Sequence, residues 1–307
     1  MCYLTKVHFD DQSCDGFVAL VTSDMKTPQH NRNEQSKRGF TIVELLVVIV
    51  VMLLLAGLAL PVLSSASVRA QGIRCGENLK QLGLAWALYV QDHEGRVALN
   101  QPTPDWNTAA NWATGWLDKI ADNTDNTNRN LLQEGQLGPY VSSFEAYKCP
   151  GDRLTVAMGG IPMARTRSVA MNFYIGFQAI GRAGEWQEVL STSDMVNPDP
   201  KTTFILAVQR EDGINDTWYR VDADRGLVEN PAFYHNGGDN LVFGDGHVEL
   251  HRWLDSRTTP SINRSKDSWH VAPNVGDAWA RGNIDINWLR DHASAPKWAT
   301  PVSLASQ

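Results

Sequence analysis

The residues best able to do chemistry fall into three groups. The first is one carboxylate, Glu44, the only charged residue in the stretch from Phe40 to Leu60. A carboxylate in so apolar a run costs several kcal/mol unless it is paired or neutralised. The second is the cysteines, of which Cys2 and Cys14 precede the apolar run and Cys75 and Cys149 follow it. If the run separates two compartments, the two pairs meet different redox conditions. The third is a set of ligand-type side chains toward the C-terminus: His235, Asp245, His247 and His251, with Asp222, Asp224 and Asp239 close in sequence. His247 and His251 lie in a segment that reads as a strand, where their spacing puts them on one face but ~13 Å apart, too far to share a zinc ion. Calcium takes oxygen ligands, and Asp222, Asp224, Asp239 and Asp245 are the weak candidates for it, with no EF-hand loop to organise them. The simpler account is that His235 hydrogen-bonds across a hairpin and Asp245-Gly246 makes its turn. No Gly-x-Ser-x-Gly elbow, phosphate loop or His-Glu-x-x-His helix is present, so the chain does not read as an enzyme.

The elements that must position these groups begin with the apolar run itself. About 20 apolar residues match the ~30 Å of hydrocarbon in a bilayer at 1.5 Å per residue. Residues 40–60 are therefore expected to form a transmembrane helix. Lys37 and Arg38 stand just before it, which places the N-terminus in the cytoplasm and the remainder outside. A cleaved signal peptide would need a small-x-small site after the run, and Ala59-Leu60-Pro61-Val62 does not supply one. A free amine created by cutting between Gly39 and Phe40 would start the helix one turn from Glu44, whose charge also suits the positive end of the helix dipole. In an assembly, Glu44 of one chain would pair with the amine of the next. The net charge of −7 argues against binding nucleic acid.

After Pro61 the pattern turns amphipathic. Val68, Cys75, Leu82 and Tyr89 recur at sevens, with Leu79 and Trp86 between them, so residues 61–94 read as a continuing helix that buries one face. Gly95 is its expected stop. Residues 95–307 form the outer domain. Short helices are expected near Trp112–Ile120 and Asn130–Gln133, and strands at Arg167–Phe177, Thr202–Gln209, Thr217–Val221 and Leu241–Leu250. The last carries Asp245-Gly246 at its centre, a hairpin turn. The fold class is α+β, a long N-terminal helix packed on an antiparallel sheet. Ten of the 11 tryptophans lie beyond the helix; on loops they could stack on sugars, and under loops they would form satellite cores.

Residues Lys37 to Leu46, read Lys-Arg-Gly-Phe-Thr-Ile-Val-Glu-Leu-Leu, resemble the prepilin cleavage and methylation signature of type IV pilins and type II secretion pseudopilins. The resemblance implies cleavage after Gly39 by prepilin peptidase, methylation of Phe40 and an assembly role for Glu44. It further implies a pilin-like fold, an inner-membrane location with a periplasmic or surface domain, and other pilin-like subunits as partners. A 39-residue leader is long for the family; starting at Met25 would shorten it to a typical length and make residues 1–24 a start-site artefact. Further along, His235 followed after nine residues by Asp245-Gly246 resembles a C-terminal signature of planctomycete and verrucomicrobial members. Arg74-Cys75-Gly76-Glu77-Asn78 and Tyr147-Lys148-Cys149-Pro150-Gly151-Asp152 resemble internal segments of the same group. The resemblance implies no required cofactor, with calcium an option because some pseudopilins bind it. Both Cys75 and Cys149 would sit outside the cytoplasm, where a disulfide would stabilise by ~4 kcal/mol through loop closure; two free, buried thiols are the alternative. The function implied is a filament subunit, and the competing reading is an anchored surface protein whose tryptophans engage polysaccharide.

Overall fold

The computed structural model describes residues 39–101, 111–177, 185–222, 226–227, 229–262 and 281–298. The expected leader, with Met25, Cys2 and Cys14, lies outside them, as does Asp224. The chain divides into two units, residues 1–54 and 55–307. The described part of the first is the opening of helix α1 (Ile42–Asp92). Its apolar side chains from Phe40 to Leu54 are all exposed.

The second unit is organised by a five-stranded sheet. Its strands are β3 (Val169–Asn172), β4 (Phe204–Val208), β5 (Trp218–Tyr219), β8 (Gly238–Phe243) and β9 (Val248–Arg252), in the order β5-β3-β4-β8-β9. Three of the four pairings are antiparallel; β5 lies parallel to β3. The sheet is thus mixed, because the connection after β4 returns the chain to the far edge in the direction of β3. Two small hairpins stand beside it, β1 (Thr155–Met158) with β2 (Ile161–Ala164) and β6 (Val221–Asp222) with β7 (Gly226–Leu227). A short helix α2 (Asn130–Glu134) and a C-terminal helix α3 (Ile284–Ala293) complete it.

Every residue of β3, β4 and β8 is buried, so both faces of the sheet are covered. Alternation sorts them. Val169, Met171, Leu206, Val208 and Val242 face one core with Cys75, Leu79, Leu82, Trp86 and Tyr89 of α1. Ala170, Phe204, Ala207, Leu241 and Phe243 face the other with Ile286, Leu289 and Ala293 of α3. The heptad face expected on α1 is therefore the one it buries. α1 remains one element through Pro61 and stops where expected, with the Gly95 amide donating back to the Val90 carbonyl at 2.9 Å and Gly95 at φ +86°. The β8–β9 hairpin also forms where expected, with Gly246 at φ +88° in its turn.

Two local expectations fail. Trp112–Ile120 is not helical; Trp112 is instead drawn into the core, its Nε1 donating to the Thr217 carbonyl at 3.2 Å, and tertiary burial overrides the local pattern. Helix α3, which was not expected, is capped by Asn283, whose side chain accepts from the Asp285 and Ile286 amides.

α1 lies so close to the sheet that a Cβ at Gly83 would stand 2.7 Å from Val242 Cγ1. Val242 is buried and β-branched, so it cannot swing aside cheaply. Gly83→Ala gains ~1 kcal/mol of helix propensity but overpacks by ~1–3 kcal/mol. The net expectation is a melting temperature of the domain lower by about 2–4 °C, read by calorimetry of wild type against variant.

Candidate functional site

Two places gather the residues that could act. The first is the start of α1. Gly39 and Phe40 are exposed, Phe40 to 74%. Glu44 Oε2 accepts from the Thr41 amide and from Thr41 Oγ1, both at 2.8 Å, while Thr41 Oγ1 accepts from the Glu44 amide at 3.2 Å. This is a reciprocal capping box, with Thr41 as N-cap and Glu44 as the third helical residue. It satisfies two backbone amides that the first turn would leave open. The Thr-x-x-Glu spacing that signals a capping box is present in the sequence itself.

The second place is the core between α1 and the sheet. Cys75 comes from α1, Cys149 from the turn after Phe144–Tyr147, and His235 from the approach to β8. Cys149 Sγ lies 3.1 Å from His235 Nε2 and accepts from the Gly151 amide at 3.3 Å. Ser168 Oγ holds the Cys149 amide at 2.7 Å. Burial pushes the Cys149 thiol up, but hydrogen bonds from Cys75, His235 and the Gly151 amide outweigh it and bring the thiol down to about 6. Cys75 is pushed the other way, well above the ordinary thiol, by donating to Cys149, by burial and by the charges of Cys149 and Asp239. Burial and the Cys149 charge hold the Asp239 carboxyl well above the usual range, against weak opposition from the Asn240 and Val208 amides. Neither oxygen of Asp239 nor Nδ1 of His235 has a well-formed hydrogen bond. Buried polar atoms without a well-formed partner cost ~1–3 kcal/mol each.

The structure thus brings Cys75 and Cys149 together, as a disulfide requires, yet both are free thiols. The Cys149 sulfur is also engaged by His235 and the Gly151 amide. His235, expected to bond across the hairpin, does exchange backbone hydrogen bonds with Gly238, but its ring turns to the sulfur.

The two calcium candidates with described side chains, Asp239 and Asp245, stand apart. Asp239 and Asp245 lie six residues apart along β8 and its turn, ~20 Å at strand rise, one buried and the other exposed. The side chain of Asp222, like all of Asp224, lies outside the described residues. Asp245 is occupied instead with His247, accepting from its amide at 3.1 Å and contacting Nδ1 at 2.6 Å. His247 stacks on Phe243 and His251 on Trp288, so these two histidines serve packing. Trp112, Trp186 and Trp253 are buried, which makes them core residues, while Trp298 is exposed.

Residues 35–60 match the family model for the prokaryotic N-terminal methylation motif. The chain carries a prepilin-type N-terminus. No curated protein and no solved structure matches it. The prepilin-type match ends at Leu60, so the segment containing His235 and Asp245-Gly246 rests on its own geometry. Among the described residues no helix is long and apolar enough to cross a membrane.

The capping box yields a direct expectation. Thr41→Ala removes the N-cap side chain at a cost of ~1 kcal/mol. Amide exchange at residues 42–45 in detergent should rise about fivefold, with exchange at residues 75–89 unchanged.

Proposed function

We propose that this chain is a pilin-like structural subunit, processed by prepilin peptidase after Gly39, methylated on Phe40 and assembled into a type II secretion or type IV pilus-like filament. The observation that carries this reading is the methylation motif over residues 35–60, with Gly39-Phe40 exposed at the mouth of α1. The anchoring element is the apolar opening of α1, extended through Leu60 and Leu63, which lengthens it to bilayer dimensions. The described large apolar side chains from Phe40 to Leu63 are between 45% and 85% exposed, far more than water tolerates in one patch. They fit burial first in the inner membrane and then against neighbouring subunits. In this reading the N-terminus is cytoplasmic and residues 95–307 face the periplasm or the cell surface.

Glu44 has two parts to play. Its Oε2 caps the helix through Thr41, and its Oε1 is directed in the assembled filament to the methylated amine of a neighbour. An ion pair out of water is strong when both partners are satisfied, and removing one is costly. Against the polysaccharide-binding alternative stands the burial of three of its tryptophans, Trp112, Trp186 and Trp253.

Gly39→Ala should leave the precursor uncut, seen by intact mass as a chain that retains its leader. Glu44→Gln keeps an acceptor for the capping box and should be cut normally, yet yield no filaments by electron microscopy. Normal cleavage of the first variant, or normal filaments from the second, would contradict the reading.

A further inference from the structure

We propose that Cys75, Cys149 and His235 are the ligands of a thiophilic transition-metal ion of the zinc class, bound between α1 and the sheet. Their donor atoms all lie within 4.8 Å of one another. Around a tetrahedral zinc ion, sulfur and nitrogen ligands stand about 3.5–3.8 Å apart, so small side-chain shifts close the set on one ion. The Cys149 sulfur and His235 Nε2, at 3.1 Å, need to part slightly to admit it. Two thiols and an imidazole form a soft to borderline donor set, which selects zinc or copper(I) over calcium or magnesium.

The surroundings suit an ion better than they suit bare side chains. All three ligands are buried, to 1%, 1% and 2% exposure. The Asp239 carboxyl close by is also buried, and neither of its oxygens has a well-formed hydrogen bond. An entry path exists, because His235 borders a groove of about 540 Å³ between α1 and β9, lined by Gly72, Gly76, Asn240 and Val248. Gly72 matters there: a Cβ would stand 3.3 Å from the His235 ring. On binding, metal–sulfur bonds form at both Sγ atoms and a metal–nitrogen bond at Nε2, and any thiol protons pass to solvent. The ion would lock three distant parts of the chain together and shield both thiols from oxidation. The inference does not depend on filament assembly.

The test uses the full chain in detergent with Cys2→Ser and Cys14→Ser, reduced and stripped of metal by chelation. Cobalt(II) should develop the visible bands of a tetrahedral site and near-ultraviolet sulfur-to-cobalt charge transfer, saturating at one ion per chain and bleached by zinc. Loss of an outer-shell partner weakens metal sites ~10–100-fold, so Cys149→Ser or His235→Asn should weaken cobalt binding at least about 100-fold. Zinc should raise the melting temperature of the parent and not of these variants. The absence of charge-transfer bands in the folded parent overturns the proposal even if every variant unfolds. So do bands that persist undiminished in Cys75→Ser/Cys149→Ser. Isolation of the native protein metal-free, two hydrogens lighter and with Cys75 bonded to Cys149, would overturn it in favour of a structural disulfide.

Discussion

The close approach of α1 to the central sheet is the contact on which the rest of the outer domain depends. Gly83 lets the helix backbone meet Val242, and Gly72 lets it meet the His235 ring. A helix held off by even one methyl group would lose dispersion contact along Leu79, Leu82 and Trp86. The other face of the sheet is closed by α3, so the strands are dry on both sides. β3, β4 and β8 accordingly carry only three polar residues, Asn172, Asp239 and Asn240, and these stand out in the core.

The same proximity gathers Cys75, Cys149 and His235. They are separated by 74 and 86 positions along the chain, and no local element relates them. Only the seating of α1 on the sheet brings the first sulfur to the second. The result is an asymmetric pair, one thiol low and one high, beside a buried carboxyl with no well-formed partner. Low dielectric strengthens each of these interactions and raises the cost of each missing one.

The start of α1 works by different physics. Apart from Thr41 and Glu44 its described side chains are apolar or glycine, and they are exposed, so its order as a helix comes from local hydrogen bonds rather than packing. The Thr41–Glu44 capping box is one source of that order. It lets a single carboxylate organise the helix start while keeping a negative charge near the processing junction, where the helix dipole also favours it. The start of α1 is thus ordered locally, whereas residues 75–89 of the same helix are ordered by packing on the sheet.

Much of this could be read from the chain. The sevenfold repeat from Val68 to Tyr89 and the Asp245-Gly246 turn are local patterns that match helix and hairpin geometry, and the helix and the hairpin form where expected. The sheet order, the parallel β5, helix α3 and the burial of Trp112 were not legible, because long-range packing sets them against weak local preference. The ligand-type residues divide the same way. The sequence offered His235, Asp239 and Asp245 as neighbours along the chain, and Cys75 with Cys149 as a pair. Tertiary structure separated Asp239 from Asp245 by the length of a strand and joined His235 to the two sulfurs, since proximity in a folded core follows from which faces pack together and not from spacing along the chain.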